Sequence, residues 1–248
     1  TINTTGTKLS MLDIIRAKMM AKAADFEHFR EDIENTIGEI ANDEILNRSE
    51  LTHFTRVFWI SERYIKMTNI NVQRDIARHI DEQIDDGQEL LDFAIKIRDN
   101  CLIYRDIIHP NRIREQGDEN PYSNIHCDAL EHFNSCTKSH YSLLLKLRNQ
   151  DWFTVENEQE ILPLMESVYI MNNLCLNAQF HKPDQAYPRL CNLENINDFD
   201  SLVTEFCRVM NDEIFAEAVQ TEQGDWREYN VEDFRRAFSK LNIRDNKR

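Results

Sequence analysis

The stretch from residue 71 to residue 110, NVQRDIARHIDEQIDDGQELLDFAIKIRDNCLIYRDIIHP, decides the fold class. Its apolar residues return every three or four positions, so they line one side of a helix. The clearest series is Ile76, Ile80, Ile84, Leu91 and Ile95. Pro110 ends the pattern because the residue before a proline is pushed out of the helical region. We therefore predict helix from Asn71 to about Ile108, with a cap or kink at Asp85-Asp86-Gly87.

The rest of the chain follows the same spacing with few interruptions. Only 5 Gly and 5 Pro occur in 248 residues, and these are the residues that end helices and shape turns. We predict about eight helices, which begin near Ser10, Asp25, Ser49, Asn71, Asn124, Thr154, Asp198 and Asn230. Residues 181–193, with two prolines, are predicted to be irregular. No strand alternation is present, so the prediction is an all-α fold without significant sheet.

The helices are predicted to form a single bundle over residues 1–248, looser after Asn149. The alternative boundary is the exposed loop at residues 110–122, which contains Gly117 and Pro121 and would divide the chain into two halves.

Composition limits the classes of partner. The formal net charge of −15 opposes nonspecific binding to nucleic acid and to anionic membranes. No apolar run approaches the roughly 20 residues that span a bilayer, so no membrane is expected. The 6 cysteines form no CxxC pair, which favours reduced thiols in a cytoplasmic protein.

Acidic residues concentrate on the second predicted helix. The run consists of Glu31, Asp32, Glu34, Glu39, Asp43 and Glu44. Such a run is commonly a solvated helix face. The functional alternative is a docking surface for a basic protein partner.

Two residues at the end of the longest helix suit phosphodiester chemistry. Arg105 and His109 are four positions apart and so share a helical face. An arginine can hold a phosphate, and a histidine can transfer protons near neutral pH. The stretch Tyr104–Pro110 resembles the Arg–His motif of HEPN-domain ribonucleases, although only three residues separate the pair, fewer than in the family pattern. The resemblance implies an all-helical, metal-independent ribonuclease that pairs as a homodimer. The structural alternative is a helix C-terminal cap.

A second group has the residue types of a zinc site. His132, Cys136 and His140 repeat every four residues, so His132 and Cys136 could chelate a metal on one helical face. One metal cannot take all three, because two turns rise about 12 Å. The alternative is a partly buried structural stripe. No Glu-x-x-His, Walker A or Rossmann glycine motif occurs, so no cofactor is predicted.

The function that these patterns favour is non-enzymatic. We expect an acidic helical adaptor, regulator or inhibitor that binds a protein partner through a helix face. The ribonuclease with Arg105 and His109 is the first alternative, and a metal- or cofactor-binding bundle with His132 and Cys136 is the second. Nucleic acid is a partner only in the ribonuclease alternative. The sequence does not decide whether the chain is an enzyme.

Overall fold

The computed structural model describes residues 10–41, 45–64, 71–111, 124–172 and 183–215. The all-α prediction is confirmed, because 81% of these residues are helical and none of them lies in a strand. Ten α-helices lie within these ranges. They are α1 (Met11–Ala23), α2 (Glu27–Ala41), α3 (Arg48–Arg63), α4 (Val72–Glu82), α5 (Gly87–Ile108), α6 (Asn124–Cys136), α7 (Tyr141–Leu147), α8 (Val155–Ile170), α9 (Pro183–Leu190) and α10 (Phe199–Met210). A π-helical turn, Asn211–Phe215, continues α10.

The predicted helices from residue 71 and from residue 124 are each divided in two. Asp86 is in an extended conformation and its side chain accepts the backbone N–H of Glu89 at 2.8 Å, so it caps a new helix, α5. The second division lies between Cys136 and Tyr141, where the Thr137 hydroxyl accepts the backbone N–H of Ser139 at 3.2 Å. Such a local hydrogen bond competes with the helical pattern.

Two local predictions were wrong. Residues 183–190 form α9 rather than an irregular segment, because Pro183 occupies the first helical position, where a missing N–H costs nothing. The cap of α3 is Asn47 rather than Ser49: the Asn47 side chain accepts the N–H groups of Ser49 and Glu50 at 2.9 and 3.1 Å.

Three other predicted helix starts are confirmed, and each has a capping side chain. They are Ser10 before α1, Thr154 before α8 and Asp198 before α10. The predicted helix from Asn230 and most of the predicted loop at 110–122 lie outside the described residues. The domain boundaries stay a prediction.

Helices α1 to α5 pack against one another, and the contact between α2 and α5 is the most extensive. Ile33 and Ile37 of α2 and Leu90 of α5 are fully buried. Gly87 allows the closest approach, since a Cβ atom there would lie 2.3 Å from Phe29 Cδ2. The buried apolar residues continue without interruption through α7, which contacts α3, α5 and α9, to α10. Among the described residues, no helix has the length and apolar character needed to cross a bilayer.

Candidate functional site

On the part of the surface that the structure describes, a groove lies between α6 and α8. It has a volume of about 310 Å³. Its apolar lining consists of Ile125, Ala129 and Phe133 from α6 and Leu162 and Pro163 from α8. Gln159 and Glu166 form its polar edge on α8, and His126 lies beside Ile125. We call this groove and its rim the α6–α8 face.

Ile125 gives the α6–α8 face an unusual degree of apolar exposure. Ile125 is 82% exposed, whereas Tyr64 and Leu102, the other exposed large hydrophobic residues in the described part of the chain, are each 41% exposed. Ala129 and Pro163 are exposed as well. Covering an isoleucine of this kind contributes about 1.5–3 kcal/mol. Contiguous exposed apolar surface with a polar edge is typical of an interaction site.

The same two helices carry charge of one sign. They contain 6 acidic residues, namely Asp128, Glu131, Glu156, Glu158, Glu160 and Glu166, and neither helix contains a lysine or arginine. Glu158 is buried, but Asp128, Glu131, Glu156 and Glu160 are exposed. One of these carboxylates lies close to a histidine: Glu166 Oε1 is 3.8 Å from His132 Nε2. The groove is therefore apolar within an acidic surround.

A buried triad, formed by the Glu158–Arg148 ion pair and His126, lies beside the groove and joins its walls. Glu158 accepts two hydrogen bonds from the Arg148 guanidinium, at 2.7 and 2.6 Å, and its Oε1 lies 3.0 Å from His126 Nε2. Side-chain exposure is 1% for Glu158, 7% for Arg148 and 2% for His126. Burial alone raises the pKa of Glu158, but the Arg148 charge and hydrogen bonds outweigh it and hold that pKa below its usual range. Since the three residues come from α6, the end of α7 and α8, the triad fixes the spacing of the groove walls.

Basic side chains balance the charge of the predicted acidic surface on α2 to a greater extent than they balance the charge of the α6–α8 face. Glu34 lies 3.7 Å from Arg16 of α1, and Glu39 lies 3.6 Å from Arg98 of α5. Glu31 and Asp32 remain exposed. Asp43 and Glu44 lie outside the described residues. The acidic run on α2 therefore does not lie beside the apolar groove.

The structure places Arg105 and His109 at the end of α5, each beside a carboxylate. Arg105 Nε is 3.2 Å from Asp106 Oδ1. His109 Nε2 is 3.2 Å from Glu50 Oε1, within ion-pair distance but without hydrogen-bond alignment. The backbone N–H of His109, the C-cap residue, donates to the Arg105 carbonyl at 2.9 Å. This geometry is typical of a helix cap. The catalytic assignment stays a prediction.

The His–Cys series does not continue along one helix. His132 is exposed and Cys136 is half-buried at the end of α6, whereas His140 lies beyond that end. His140 is fully buried and stacks on Phe133 with ring centroids 4.2 Å apart. Among the residues that the structure describes, no three His, Cys, Asp or Glu side chains are grouped as metal ligands. The metal assignment of His132 and Cys136 has no further support from the described geometry.

His140 instead serves the packing of α5 against α6. Asn134 donates from Nδ2 to the Ile107 carbonyl at 2.6 Å, which leaves its Oδ1 to accept from His140 Nε2 at 2.9 Å. This pattern requires a proton on His140 Nε2. Burial lowers the pKa of His140 to about 3, a shift that the Glu158 charge only partly opposes.

A second neutral histidine, His53, lies where α3, α5 and α7 meet. Its Nδ1 is 2.8 Å from the Tyr104 hydroxyl, and its ring packs edge-on against Tyr141. Burial, followed by the charges of Lys138 and Arg56, lowers the pKa of His53 to about 4. Burial also raises the pKa of Tyr104. At neutral pH the contact therefore joins a protonated tyrosine hydroxyl and an uncharged imidazole.

Sequence reasoning did not find the triad or the groove. The one available signal was Glu158, which shares helical spacing with the buried Ile161, Leu162 and Met165. A carboxylate within an apolar stripe requires a buried partner. The partners, Arg148 and His126, lie on other segments and no spacing connects them.

Fold and surface together define an all-α bundle with an acidic, apolar-lined groove. Comparisons with family models, curated proteins and solved structures find no significant match for the chain.

Proposed function

We propose that this chain is a non-enzymatic helical interaction protein that binds a protein partner at the α6–α8 face. The observation that carries the proposal is the 82% exposed Ile125 beside an apolar groove of about 310 Å³. A partner that covers this surface gains hydrophobic free energy that the isolated chain leaves unused.

The rigidity of the groove walls supports the same function. The buried Glu158 carboxylate contacts both Arg148 and His126, so the groove is formed before a partner arrives. Preorganisation lowers the entropic cost of association. Binding by such a surface needs no converging catalytic groups.

Site-specific photo-crosslinking tests the proposal. A benzophenone amino acid replaces Ile125 in one variant and Leu102, the matched exposed residue on α5, in the other. We expect one protein to crosslink in a lysate of the source at position 125 and not at position 102. The same protein, once purified, should bind the wild-type chain in equimolar ratio and lose binding with Ile125→Asp but not with Leu102→Asp. Equal crosslinking at both positions, or equal loss in both variants, would contradict the proposal.

A further inference from the structure

We infer that the partner segment at the α6–α8 face is a cationic amphipathic helix. The inference rests on the proposed function and adds the secondary structure and charge of the partner. Three properties of the face carry it: its apolar floor, the absence of sheet edges, and the single sign of its charges.

The floor of the groove requires an occupant with a continuous apolar stripe. From a rise of 1.5 Å per residue, the lining residues span about 12 Å along α6, from Ile125 to Phe133, and about 11 Å along α8, from Gln159 to Glu166. Ile125, Phe133 and Leu162 give the floor its apolar character. A helix with apolar residues at every third or fourth position offers such a stripe along several turns.

An extended segment does not fit this surface. A strand needs backbone partners, and none of the described residues lies in a sheet that could supply an edge. Its N–H and C=O groups would stay unpaired against an apolar floor, which is costly. A helix satisfies these groups internally, so it can dock with side chains alone.

The charges around the groove require basic residues on the flanks of that helix. Glu166 lines the groove directly. Glu160 precedes Pro163 by three residues, so it lies on a helix face next to the groove. Pro163 has no N–H for the carbonyl of Gln159, which leaves that carbonyl without its usual intrahelical donor. Lysine or arginine side chains complement all of these groups.

The same charges argue against other occupants. A second copy of the chain would bring acidic residues of α6 and α8 against the same residues of its partner, and like charges oppose such an isologous contact. Anionic lipid and nucleic acid meet the same repulsion.

Three synthetic peptides test the inference. They share the length of α8 and one stripe of leucines, and their polar faces consist of lysine, glutamine or glutamate. Binding is measured by fluorescence anisotropy, with circular dichroism to show that each protein variant is folded. We expect equimolar binding of the lysine peptide, weaker binding of the glutamine peptide and none of the glutamate peptide.

Matched protein variants separate a specific site from general attraction to an acidic protein. Glu160→Lys with Glu166→Lys changes the α6–α8 face, and Glu31→Lys with Asp32→Lys changes exposed α2 by the same total charge. The first pair of substitutions should weaken binding of the lysine peptide about tenfold or more. The variant with the second pair should bind this peptide with an affinity close to that of the wild type. Ile125→Ser should weaken it, and Leu102→Ser should not.

Several results would overturn the inference. Equal weakening by both charge variants would show diffuse attraction. Failure of the lysine peptide to bind, or stronger binding by the glutamine peptide, would exclude a cationic helix. A dimer in sedimentation that Ile125→Ser dissociates would identify a second copy as the occupant. If position 125 still crosslinks one partner in these cases, only the partner's chemistry is wrong and the proposed binding face stands; without such a crosslink, both fail.

Discussion

Two helix pairs in this molecule are held together by different kinds of contact. Between α2 and α5, Gly87 removes a side chain where Phe29 approaches; Ile33 and Ile37 of α2 are fully buried. Between α6 and α8, a buried triad holds the helices in place, and an apolar groove stays open beside it. The first pair uses its apolar surface for folding. The second pair keeps apolar surface that a partner can cover.

The difference shows what a buried triad of this kind can contribute. Such a triad is not a strong source of stability, because removing charges from water is costly. It does fix a geometry, since Arg148 binds Glu158 through two hydrogen bonds. Close apolar packing, in contrast, leaves no apolar surface exposed for a partner. The predictions below perturb one pair or the other.

The largest effect is expected from breaking the triad. Glu158→Ala leaves the Arg148 guanidinium buried without its carboxylate, which costs about 3–5 kcal/mol of unfolding free energy. Urea denaturation measures the loss. As a control, Glu158→Met combined with Arg148→Met removes both charges and should cost much less. If the single and double variants lose the same stability, the triad is not an ion-paired unit.

Acid should destabilise the chain through its buried neutral histidines. The folded-state pKa of His140 is about 3, below the ordinary 6.5, so below pH 6.5 the unfolded state binds more protons. Stability therefore falls as the pH drops from about 6.5 toward 3, by up to about 1.4 kcal/mol per pH unit for His140. His53, with a pKa of about 4, acts in the same direction.

Urea denaturation at a series of pH values measures this slope, and His140→Gln serves as the control because glutamine can still donate to Asn134. The variant should lose stability less steeply between pH 6.5 and 4.5. Glu158, whose pKa is lowered, contributes stability above its ordinary pKa and loses it only at lower pH. An identical slope in wild type and His140→Gln would show that His140 does not titrate as described.

Glycine substitutions sharpen the account of the α2–α5 pair. Gly87→Ala places a methyl group 2.3 Å from Phe29 Cδ2, and the strain should cost about 1–3 kcal/mol. Gly38→Ala, in the interior of α2, meets no atom within 4 Å and should stabilise the chain by about 0.5–1 kcal/mol. Thermal or urea denaturation compares the two variants. Equal and small effects would mean that Gly87 does not set the helix spacing.

The smallest effect is expected at the end of α5. His109→Ala removes a partly exposed contact with Glu50 and should cost about 0–1 kcal/mol. The proposed function also predicts no RNA cleavage by the wild-type chain. Cleavage that either Arg105→Ala or His109→Ala abolishes, at an unchanged melting temperature, would contradict the proposal and establish the ribonuclease alternative.

Fold class and most helix starts could be predicted because their causes are local. Apolar spacing and a capping side chain within three residues, as at Ser10 and Thr154, determine where a helix begins. The break after Cys136 was not predicted because the apolar spacing continues through it, while its cause is a local hydrogen bond between Thr137 and Ser139. Helix α9 departs from the prediction because the first turn of a helix accepts a proline, so Pro183 does not act as a breaker there.

The candidate site could not be predicted because its causes are not local. Glu158 and Arg148 are 10 residues apart and His126 is 32 residues from Glu158, and only the packing of α6, α7 and α8 brings them together. Ile125 also departs from the prediction: its place in the apolar spacing of α6 predicts burial, yet it is 82% exposed.

The most direct test of the central claim is crosslinking from position 125 compared with position 102. If the α6–α8 face is the interaction surface, one protein crosslinks from position 125 alone, and Ile125→Asp abolishes its equimolar binding. If both positions crosslink the same proteins, or if Ile125→Asp leaves that binding intact, the α6–α8 face is not where this protein meets its partner.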